Sequence, residues 1–361
     1  MRPFIRVGNR KIGADHPVFI VAEVSANHHQ KYEEAERLIR TAARAGADAI
    51  KLQTYTPDTI TIDSDKKWFF IGGKNTPASW KKENLYALYK KAYTPWEWQP
   101  KLKELTEKLG MIFFSTPFDA TAVDFLEKLN VQCYKIASYE ATDIPLLKKV
   151  AGTGKPVLLS VGFADSREIE EAIKTLKNAG AKDIAVLHCV TSYSRDPELA
   201  NTYLSNIRDI AERFGVVTGF SDNNAGIELP IASVYAGARI VEKHFILSRG
   251  SGGPDSRFSI EPSELREMVK GIRRAEKALG SPHYGPASKD EERYRTLRRS
   301  LFAVEDIKKG ERFTKKNIRV IRPHFGLPPK RYEEVIGKIA AKDISRGTPL
   351  QDRLIARKRI T

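Results

Sequence analysis

The chain has 361 residues and carries 61 Lys and Arg against 45 Asp and Glu, a formal net charge of +16. Hydrophobic residues make up 41% of the sequence, which excludes a wholly disordered chain. This length favours two domains, or one large barrel with an appendage. The basic residues are mixed with acidic ones along the chain rather than gathered in an arm, so we predict anionic small-molecule partners and no nucleic acid.

No segment approaches the roughly 18 consecutive apolar residues that a transmembrane helix needs, and MRPFIRVGNRK has no apolar signal-peptide core. Cys133 and Cys189 each lie within an apolar run, which favours reduced, buried thiols over a disulfide. We therefore predict a cytoplasmic protein with no membrane partner.

Short apolar runs bounded by turn residues recur eight times, a pattern typical of strands buried on both faces of a parallel sheet. They cover 17–24, 47–54, 111–117, 132–138, 156–162, 184–190, 216–222 and 238–245. Amphipathic helical segments separate them, so the sequence predicts an α/β fold, a (β/α)8 TIM barrel within residues 1–280. A doubly wound open sheet is the alternative, but no GxGxxG follows the first strand.

The connection from Tyr55 to Pro95 is unusually long for a compact domain and contains several aromatic residues. It is either a substrate-covering excursion or a structural insertion. After Gly280 the sequence becomes polar and rich in turns, which predicts a linker over 281–297. Short strands separated by turn motifs then predict a small β-rich domain over 298–361.

Polar side chains cluster at the ends of the predicted strands, which converge on one mouth in a closed parallel barrel. This ring consists of Glu23, Lys51, Gln53, Thr116, Lys135, Ser138, Glu140, Ser160, Thr191, Tyr193, Ser221, Asn223, Glu242 and His244. Lysine is costly inside a barrel unless its charge is matched, so Lys51 and Lys135 predict an anion site. The alternative is that each lysine pairs with a neighbouring acid, such as Glu23 or Glu140.

His244 either binds a divalent metal or satisfies a hydrogen bond in the core. Glu242 lies two residues earlier on the same strand and should face the same side, which favours a metal or acid–base site. His28 and His29 lie in the first loop after a strand, an active-site loop in this fold, although adjacent loop histidines are often simply exposed.

Several long motifs resemble the sialic acid synthase family, and most closely its pseudaminic acid synthase branch. They are AEVSANH, AGADAIKLQTYTPDTITIDSD, LYALYKKAYTPWEW, YKIASYEATD, VEKHF, PDSRFSI, RSLFAVEDIKKGE and RPHFGLPPKRY. The resemblance implies condensation of phosphoenolpyruvate with 2,4-diacetamido-2,4,6-trideoxy-L-altrose, giving pseudaminic acid and phosphate. It also implies a C-terminal SAF (antifreeze-like) domain that completes the mouth of the partner's barrel in a domain-swapped homodimer.

Two alternatives remain open. The first is an N-acetylneuraminate or legionaminic acid synthase of the same family, acting on another N-acetylated amino sugar. The second is a non-catalytic sugar-binding homologue.

The resemblance also assigns roles to residues of the ring. Phosphoenolpyruvate would be bound by Lys51, Lys135, Ser138, Ser160 and Ser221, with Thr116, Thr191 and Glu242 as further substrate-binding residues. Glu23 resembles the essential carboxylate near the sugar, and it is expected to be catalytic together with His244. The sugar side would comprise Gln53, Glu140, Tyr193 and Asp255, with Arg322 of the SAF domain reaching across the dimer.

The family holds its divalent metal, Mn or Mg, with two histidines. The second, His244, is present, but the first motif here is SDNN, which places Asn223 where the family has histidine. An asparagine carbonyl is an acceptable ligand for these ions but binds them more weakly and less selectively than imidazole. The expected metal ligands are therefore His244 and Asn223, with a reduced affinity.

Overall fold

The computed structural model describes residues 4–71, 83–191 and 199–356. The chain divides into two compact units, Met1–Gly280 and Ser281–Thr361. Among the predicted site residues, Tyr193 lies outside the described part of the chain. No helix in the described ranges is both long and apolar enough to cross a membrane.

Eight parallel strands of the first unit form a closed barrel, in which the last strand pairs with the first. The strands are β3 (Phe19–Glu23), β4 (Ala49–Thr54), β5 (Ile112–Pro117), β6 (Tyr134–Ile136), β7 (Val157–Ser160), β8 (Ile184–Val190), β9 (Val217–Asp222) and β10 (Ile240–His244). Each lies within one of the eight predicted apolar runs, so the predicted (β/α)8 barrel is confirmed. The strands are apolar throughout because the barrel interior covers one face and helices cover the other.

The helices of this unit pack around the barrel. They are α1 (Tyr32–Ala45), α2 (Pro57–Ile60), α3 (Leu85–Ala92), α4 (Gln99–Lys108), α5 (Ala120–Lys128), α6 (Ile144–Ala151), α7 (Ser166–Asn178), α8 (Asn206–Phe214), α9 (Glu228–Ala236) and α10 (Pro262–Leu279). In α1 the buried positions Leu38, Ile39 and Ala42 recur at helical spacing and join the core between helices and strands.

An N-terminal hairpin, β1 (Phe4–Val7) and β2 (Arg10–Gly13), was not predicted from the sequence. Its residues Ile5, Val7 and Ile12 pack in the same apolar cluster as residues of the barrel interior, including Phe19 at the start of β3. The hairpin therefore covers the end of the barrel at which the strands begin. The opposite end, where the strands finish, carries the polar ring.

The long connection between β4 and α4 contains α2, α3 and a 3-10 turn at Lys67–Phe69, and residues 72–82 lie outside the described ranges. Its end is tied to the barrel mouth by a hydrogen bond of 3.0 Å between His28 Nε2 and Thr94 Oγ1. Trp96 Nε1 donates to the backbone oxygen of Tyr55 at 3.0 Å, which joins the two ends of the connection. A substrate-covering role for it stays a prediction.

In the second unit, the predicted linker contains α11 (Lys289–Arg293) and a 3-10 turn at Tyr294–Leu297. Strands β11 (Ser300–Ala303) and β12 (Ile318–Ile321) then pair antiparallel, and α12 (Tyr332–Val335) follows. Isolated bridges such as Ile307 to Ile344 extend the β structure. A small core of its own holds this unit together, including Leu301, Phe313, Ile318, Val335 and Leu350.

Candidate active site

Two buried lysines meet at one carboxylate in the barrel mouth. Lys51 Nζ lies 2.6 Å from Glu23 Oε2 and 3.7 Å from Glu242 Oε1, and Lys135 Nζ lies 3.3 Å from the same Glu242 oxygen. All four side chains are buried. Each lysine has an acidic partner, as the alternative interpretation expected, and the two ammonium groups approach the same carboxylate oxygen, so the anion site stays a prediction. The acid that Lys135 meets is Glu242 and not Glu140.

Burial and ion pairing act against each other in this cluster. Burial raises the pKa of Glu23 to about 7, because the loss of hydration outweighs the attraction of Lys51. Burial works to lower the pKa of Lys51, but Glu23 and Glu242 outweigh it and the pKa is raised. For Lys135 burial prevails and the pKa is lowered. The raised pKa of Glu23 therefore allows this carboxyl group to exchange a proton near neutral pH.

Hydroxyl groups contact this cluster or end a neighbouring strand. Lys51 Nζ donates to Thr116 Oγ1 at 3.3 Å, and Ser221 Oγ donates to Glu242 Oε1 at 3.0 Å. Ser160 ends β7 and is buried, but its Oγ has no hydrogen-bond partner within the described ranges. An unpaired buried hydroxyl is costly, so its partner is expected to come from a bound ligand.

Close backbone packing positions Ser138 and Thr191. The backbone N–H of Gly162 donates to Ser138 Oγ at 3.0 Å. A Cβ atom at Gly162 would lie 2.8 Å from Thr191 Cγ2 and 2.9 Å from the backbone oxygen of Cys189, which is closer than such contacts allow. Glycine is therefore required here, and it brings the end of β7 against the neighbouring β8.

Further unpaired polar atoms belong to the predicted ring. Beside Ser160 Oγ, the buried atoms without a hydrogen-bond partner in the described part of the chain include Glu140 Oε2, Glu242 Oε2 and His244 Nδ1. Burial raises the pKa of Glu140 to about 7 despite the attraction of Lys135. Native proteins rarely leave such atoms unpaired, and their concentration at this mouth indicates a site for a polar ligand.

A hydrogen-bond network joins Glu23 to the loop after β10. Gln53 Nε2 donates to Glu23 Oε1 at 3.1 Å and to Ser25 Oγ at 2.9 Å. Ser25 Oγ in turn donates to Asp255 Oδ2 at 2.5 Å. The network places Gln53 and Asp255 beside Glu23, as the predicted sugar side required. Sequence reasoning missed Ser25, although it lies in the AEVSANH motif two residues after Glu23.

The predicted metal ligands His244 and Asn223 lie on neighbouring strands. Lys243 of β10 pairs in register with Asp222, the last residue of β9. His244 and Asn223 directly follow these two residues, so they lie side by side at the ends of the two strands. Burial lowers the pKa of His244 to about 4, which leaves a neutral imidazole, and its Nδ1 is 3.9 Å from Asp255 Oδ2. Asn223 Nδ2 contacts Cys189 Sγ at 3.5 Å, so the amide oxygen is its atom suited to a metal.

This pair of ligands fits a weakly held divalent ion with open coordination positions. No three His, Cys, Asp or Glu side chains of the described residues are grouped so as to hold a metal. His244 would contribute the unpaired Nδ1, and Asn223 would contribute a carbonyl oxygen, a donor that Mn and Mg accept. The remaining positions would be filled by water and substrate.

An ion pair on the outer face of the barrel supports this register. Lys243 alternates with Glu242 and His244 and therefore points away from the mouth. Its Nζ lies 2.6 Å from Asp222 Oδ2, with both side chains fully buried, and it also donates to the backbone oxygen of Asn224. This pair ties the end of β9 to the end of β10.

The two loop histidines are structural, and the expectation that they are simply exposed is wrong for His28. His28 is buried, accepts from the backbone N–H of Gln30 at its Nδ1 and contacts Thr94 through Nε2. His29 Nε2 lies 2.7 Å from the backbone oxygen of Gly252. Both therefore hold the loops of the mouth together.

Arg322 belongs to the second unit. It directly follows β12 and is exposed. An exposed guanidinium at this position is free to meet an anionic or polar partner.

Comparison with known proteins matches residues 38–284 to the NeuB family and residues 298–356 to the SAF domain. The chain is 41% identical over 349 residues to the pseudaminic acid synthase of Campylobacter jejuni, covering 96% of this chain and 98% of that protein. It is 42% identical over 336 residues to the pseudaminic acid synthase of Helicobacter pylori, covering 92% and 96%. A crystal structure of N-acetylneuraminic acid synthetase from Leptospira borgpetersenii matches with a TM-score of 0.70 at 35% identity, covering 81% and 95%.

Proposed function

The chain belongs to the NeuB family of sialic acid synthases, and we propose that it condenses phosphoenolpyruvate with 2,4-diacetamido-2,4,6-trideoxy-L-altrose to give pseudaminic acid and phosphate. The predicted family, and the predicted barrel followed by an SAF domain, are confirmed. Two curated pseudaminic acid synthases share 41% and 42% identity with the chain over nearly its whole length, which supports this branch of the family.

One observation carries the proposal: Lys51 and Lys135 both approach Glu242 Oε1, at 3.7 Å and 3.3 Å, at the end of the barrel where the buried Ser160 hydroxyl has no partner among the described residues. Phosphoenolpyruvate has a phosphate and a carboxylate joined by a short enol unit. It therefore needs two cationic groups a few ångströms apart, together with several hydrogen-bond donors. The hydrogen-bond donors would be the side-chain hydroxyl groups of Ser138, Ser160, Ser221, Thr116 and Thr191.

Two lysines and two glutamates form the buried cluster at the mouth. We expect phosphoenolpyruvate to replace Glu242 as the shared partner of the two lysines, because its phosphate is the more highly charged anion. Ser221, which donates to Glu242, would then be released to the phosphate. The two lysines would then hold the anion throughout the reaction.

The condensation follows from the polarity of the bound enol. Its C3 carbon attacks the aldehyde carbon of the open-chain sugar, and the new C–C bond leaves positive charge on C2. Water adds to C2, and the resulting tetrahedral carbon breaks its bond to the phosphate oxygen, which forms the ketone and releases phosphate. Of the two protons of the water, one ends on the former aldehyde oxygen, which becomes a hydroxyl group, and the other leaves with the phosphate. Lys51 and Lys135 stabilise the phosphate as its negative charge grows.

Glu23 would manage the proton in this scheme. With its pKa raised to about 7 by burial, both protonation states are accessible near neutral pH. It would either open the sugar ring or accept the proton of the attacking water. Gln53 and Asp255, which belong to the same network, would orient the sugar beside it, with Glu140 and Tyr193 as further sugar-side residues.

A divalent metal, Mn or Mg, would be held by His244 and Asn223. When bound it would supply Lewis-acid polarisation of the aldehyde oxygen. The chain's own contribution is to keep His244 neutral through burial and to fix its register through the ion pair between Lys243 and Asp222.

We further propose a domain-swapped homodimer, in which Arg322 of one subunit reaches the sugar bound to the other. The exposure of Arg322 supports this assignment. A cytoplasmic location stays a prediction, consistent with two free, buried cysteines.

The test is incubation of the purified chain with phosphoenolpyruvate, Mn and one of three sugars. These are the trideoxy-altrose, N-acetylmannosamine and 2,4-diacetamido-2,4,6-trideoxymannose. We expect phosphate release, and a product of the mass of pseudaminic acid, with the altrose sugar at a kcat/KM at least about tenfold above the others. Preference for another sugar would assign the chain to another synthase of the family. Sugar binding without phosphate release would support the non-catalytic alternative, which the replacement of a metal histidine by Asn223 favours.

A further inference from the structure

We propose that Ser25 is a positioning residue of this site, whose hydroxyl holds the Gln53 amide in the orientation that serves Glu23 and the acceptor sugar. The inference rests on the proposed function. It assigns a role to a side chain whose residue type is common in loops and carries no catalytic signature of its own.

The backbone at Ser25 is in a conformation that favours glycine. Its φ is +46°, in the left-handed region, where a side chain costs about 1 kcal/mol or more relative to glycine. The residue is nevertheless a buried serine at the first position of the 3-10 turn Ser25–His28. A side chain kept at a strained position indicates that its hydroxyl is needed.

The hydroxyl of Ser25 donates one hydrogen bond and accepts another. It donates to Asp255 Oδ2 at 2.5 Å and accepts from Gln53 Nε2 at 2.9 Å. Since the hydroxyl has a single hydrogen, donation to Asp255 leaves only its lone pairs to face Gln53. Neither alanine nor glycine can take this place, because it requires a group that both donates and accepts.

This arrangement fixes the orientation of the Gln53 amide. The second N–H of Nε2 goes to Glu23 Oε1 at 3.1 Å, so both hydrogens of the amide nitrogen are used. The amide oxygen is then turned away from Glu23 Oε1 and Ser25 Oγ, the two acceptors of the amide nitrogen. Loss of the Ser25 acceptor would leave one N–H unpaired and allow other rotamers of Gln53.

Ser25 also links Gln53 to the loop after β10. The Asp255 oxygen that it contacts lies 3.9 Å from His244 Nδ1. The network therefore runs from Glu23 through Gln53 and Ser25 to Asp255. It meets the phosphoenolpyruvate side through Glu23, whose Oε2 lies 2.6 Å from Lys51 Nζ. The hydrogen bonds of the Ser25 hydroxyl go to Gln53 and Asp255 rather than to a lysine, so we expect phosphoenolpyruvate binding to change little when Ser25 is replaced.

Two variants separate positioning from stability. Ser25→Gly removes the hydroxyl and relieves the backbone, whereas Ser25→Ala removes the hydroxyl and keeps the strain. We expect Ser25→Gly to have a higher Tm than Ser25→Ala, because both variants lose the same hydrogen bonds and only Ser25→Gly relieves the backbone. Both should lose about tenfold or more in kcat with the acceptor sugar, and both should bind phosphoenolpyruvate in calorimetry within threefold of wild type. Ser251→Ala, at an exposed serine of the loop that carries Asp255, is the matched control and should keep wild-type kcat.

A cycle with Gln53→Ala tests the proposed route. In that background Ser25→Gly should lower kcat by less than threefold further, because the amide that Ser25 orients is gone. Two results would overturn the inference and leave the proposed function standing. The first is full additivity of the two substitutions in kcat. The second is wild-type kcat in Ser25→Gly together with a kcat of Ser25→Ala that falls only as far as its lower Tm explains. A wild-type chain that forms no product from any of the three sugars would overturn the proposed function, and this inference with it.

Discussion

Lys51 Nζ and Lys135 Nζ lie 3.7 Å and 3.3 Å from a single atom, Oε1 of Glu242. The two lysines come from β4 and β6, which are separated in the barrel by β5. Their convergence therefore requires the barrel to be closed, with both side chains pointing inward at the same level. The shared carboxylate supplies a counter-charge to both ammonium groups in this buried site, and we propose that an anionic substrate takes its place.

Glu23→Gln should abolish turnover, with a loss of about 100-fold to 10,000-fold in kcat, because glutamine cannot exchange a proton. Binding of phosphoenolpyruvate should remain nearly intact, since Lys51 and Lys135 are unchanged. Steady-state kinetics and calorimetry measure the two effects separately. Glu170→Gln, at an exposed position of α7, is the control and should behave as wild type. Full activity of Glu23→Gln would refute the assignment.

Asn223→His should tighten Mn binding by about tenfold or more, because imidazole is a stronger ligand for this ion than an amide oxygen. The measurement is a titration of the protein with Mn, followed by the electron paramagnetic resonance signal of the free ion. Adding His244→Gln to either background should remove the binding. An unchanged affinity in Asn223→His would place the metal elsewhere or exclude it from this chain.

Gly162→Ala should lower both stability and affinity for phosphoenolpyruvate. The added methyl group would meet Thr191 Cγ2 at 2.8 Å and the Cys189 backbone oxygen at 2.9 Å, and relief requires β7 and β8 to move apart. We expect a destabilisation of about 1–3 kcal/mol in denaturant unfolding. Gly250→Ala, where the nearest heavy atom to the new Cβ is 3.5 Å away, is the control. Equal stability of the two variants would show that the end of β7 adapts easily.

The barrel was predictable from the sequence because its strands are buried on both faces and read as short apolar runs. The hairpin of β1 and β2 was not, since its four-residue strands carry Arg6, Arg10 and Lys11 beside their buried positions. Its packing depends on an apolar cluster that exists only once the barrel has closed.

The charged and hydroxyl residues of the site were predictable because each lies at the end of a recognisable strand. Ser25 carries no such mark. Its role depends on Asp255, which lies 230 positions away along the chain. The partner of Lys135 was also beyond the sequence, because it depends on which inward-facing acid lies at the same level of the barrel.

Glu140→Gln should remove part of the pH dependence of stability. Burial raises the folded-state pKa of Glu140 to about 7 from an ordinary value of 4.5. Between these values the folded chain holds a proton that the unfolded chain has released, so this group's contribution is complete below pH 4.5 and is lost as the pH rises through 7. The free energy of unfolding of Glu140→Gln minus that of wild type should thus be more positive at pH 8 than at pH 4, by roughly 1 kcal/mol. A pH-independent difference would contradict the shift.

The central claim, that Lys51 and Lys135 together bind phosphoenolpyruvate, is tested most directly by calorimetric titration of wild type, Lys51→Met and Lys135→Met with this compound. Lys155→Met, which removes a lysine paired with Glu127 outside the mouth, is the matched control. We predict one bound molecule per wild-type and control chain, and at least about 100-fold weaker binding in each of the other two variants. Wild-type affinity in a folded Lys51→Met or Lys135→Met variant would contradict the account.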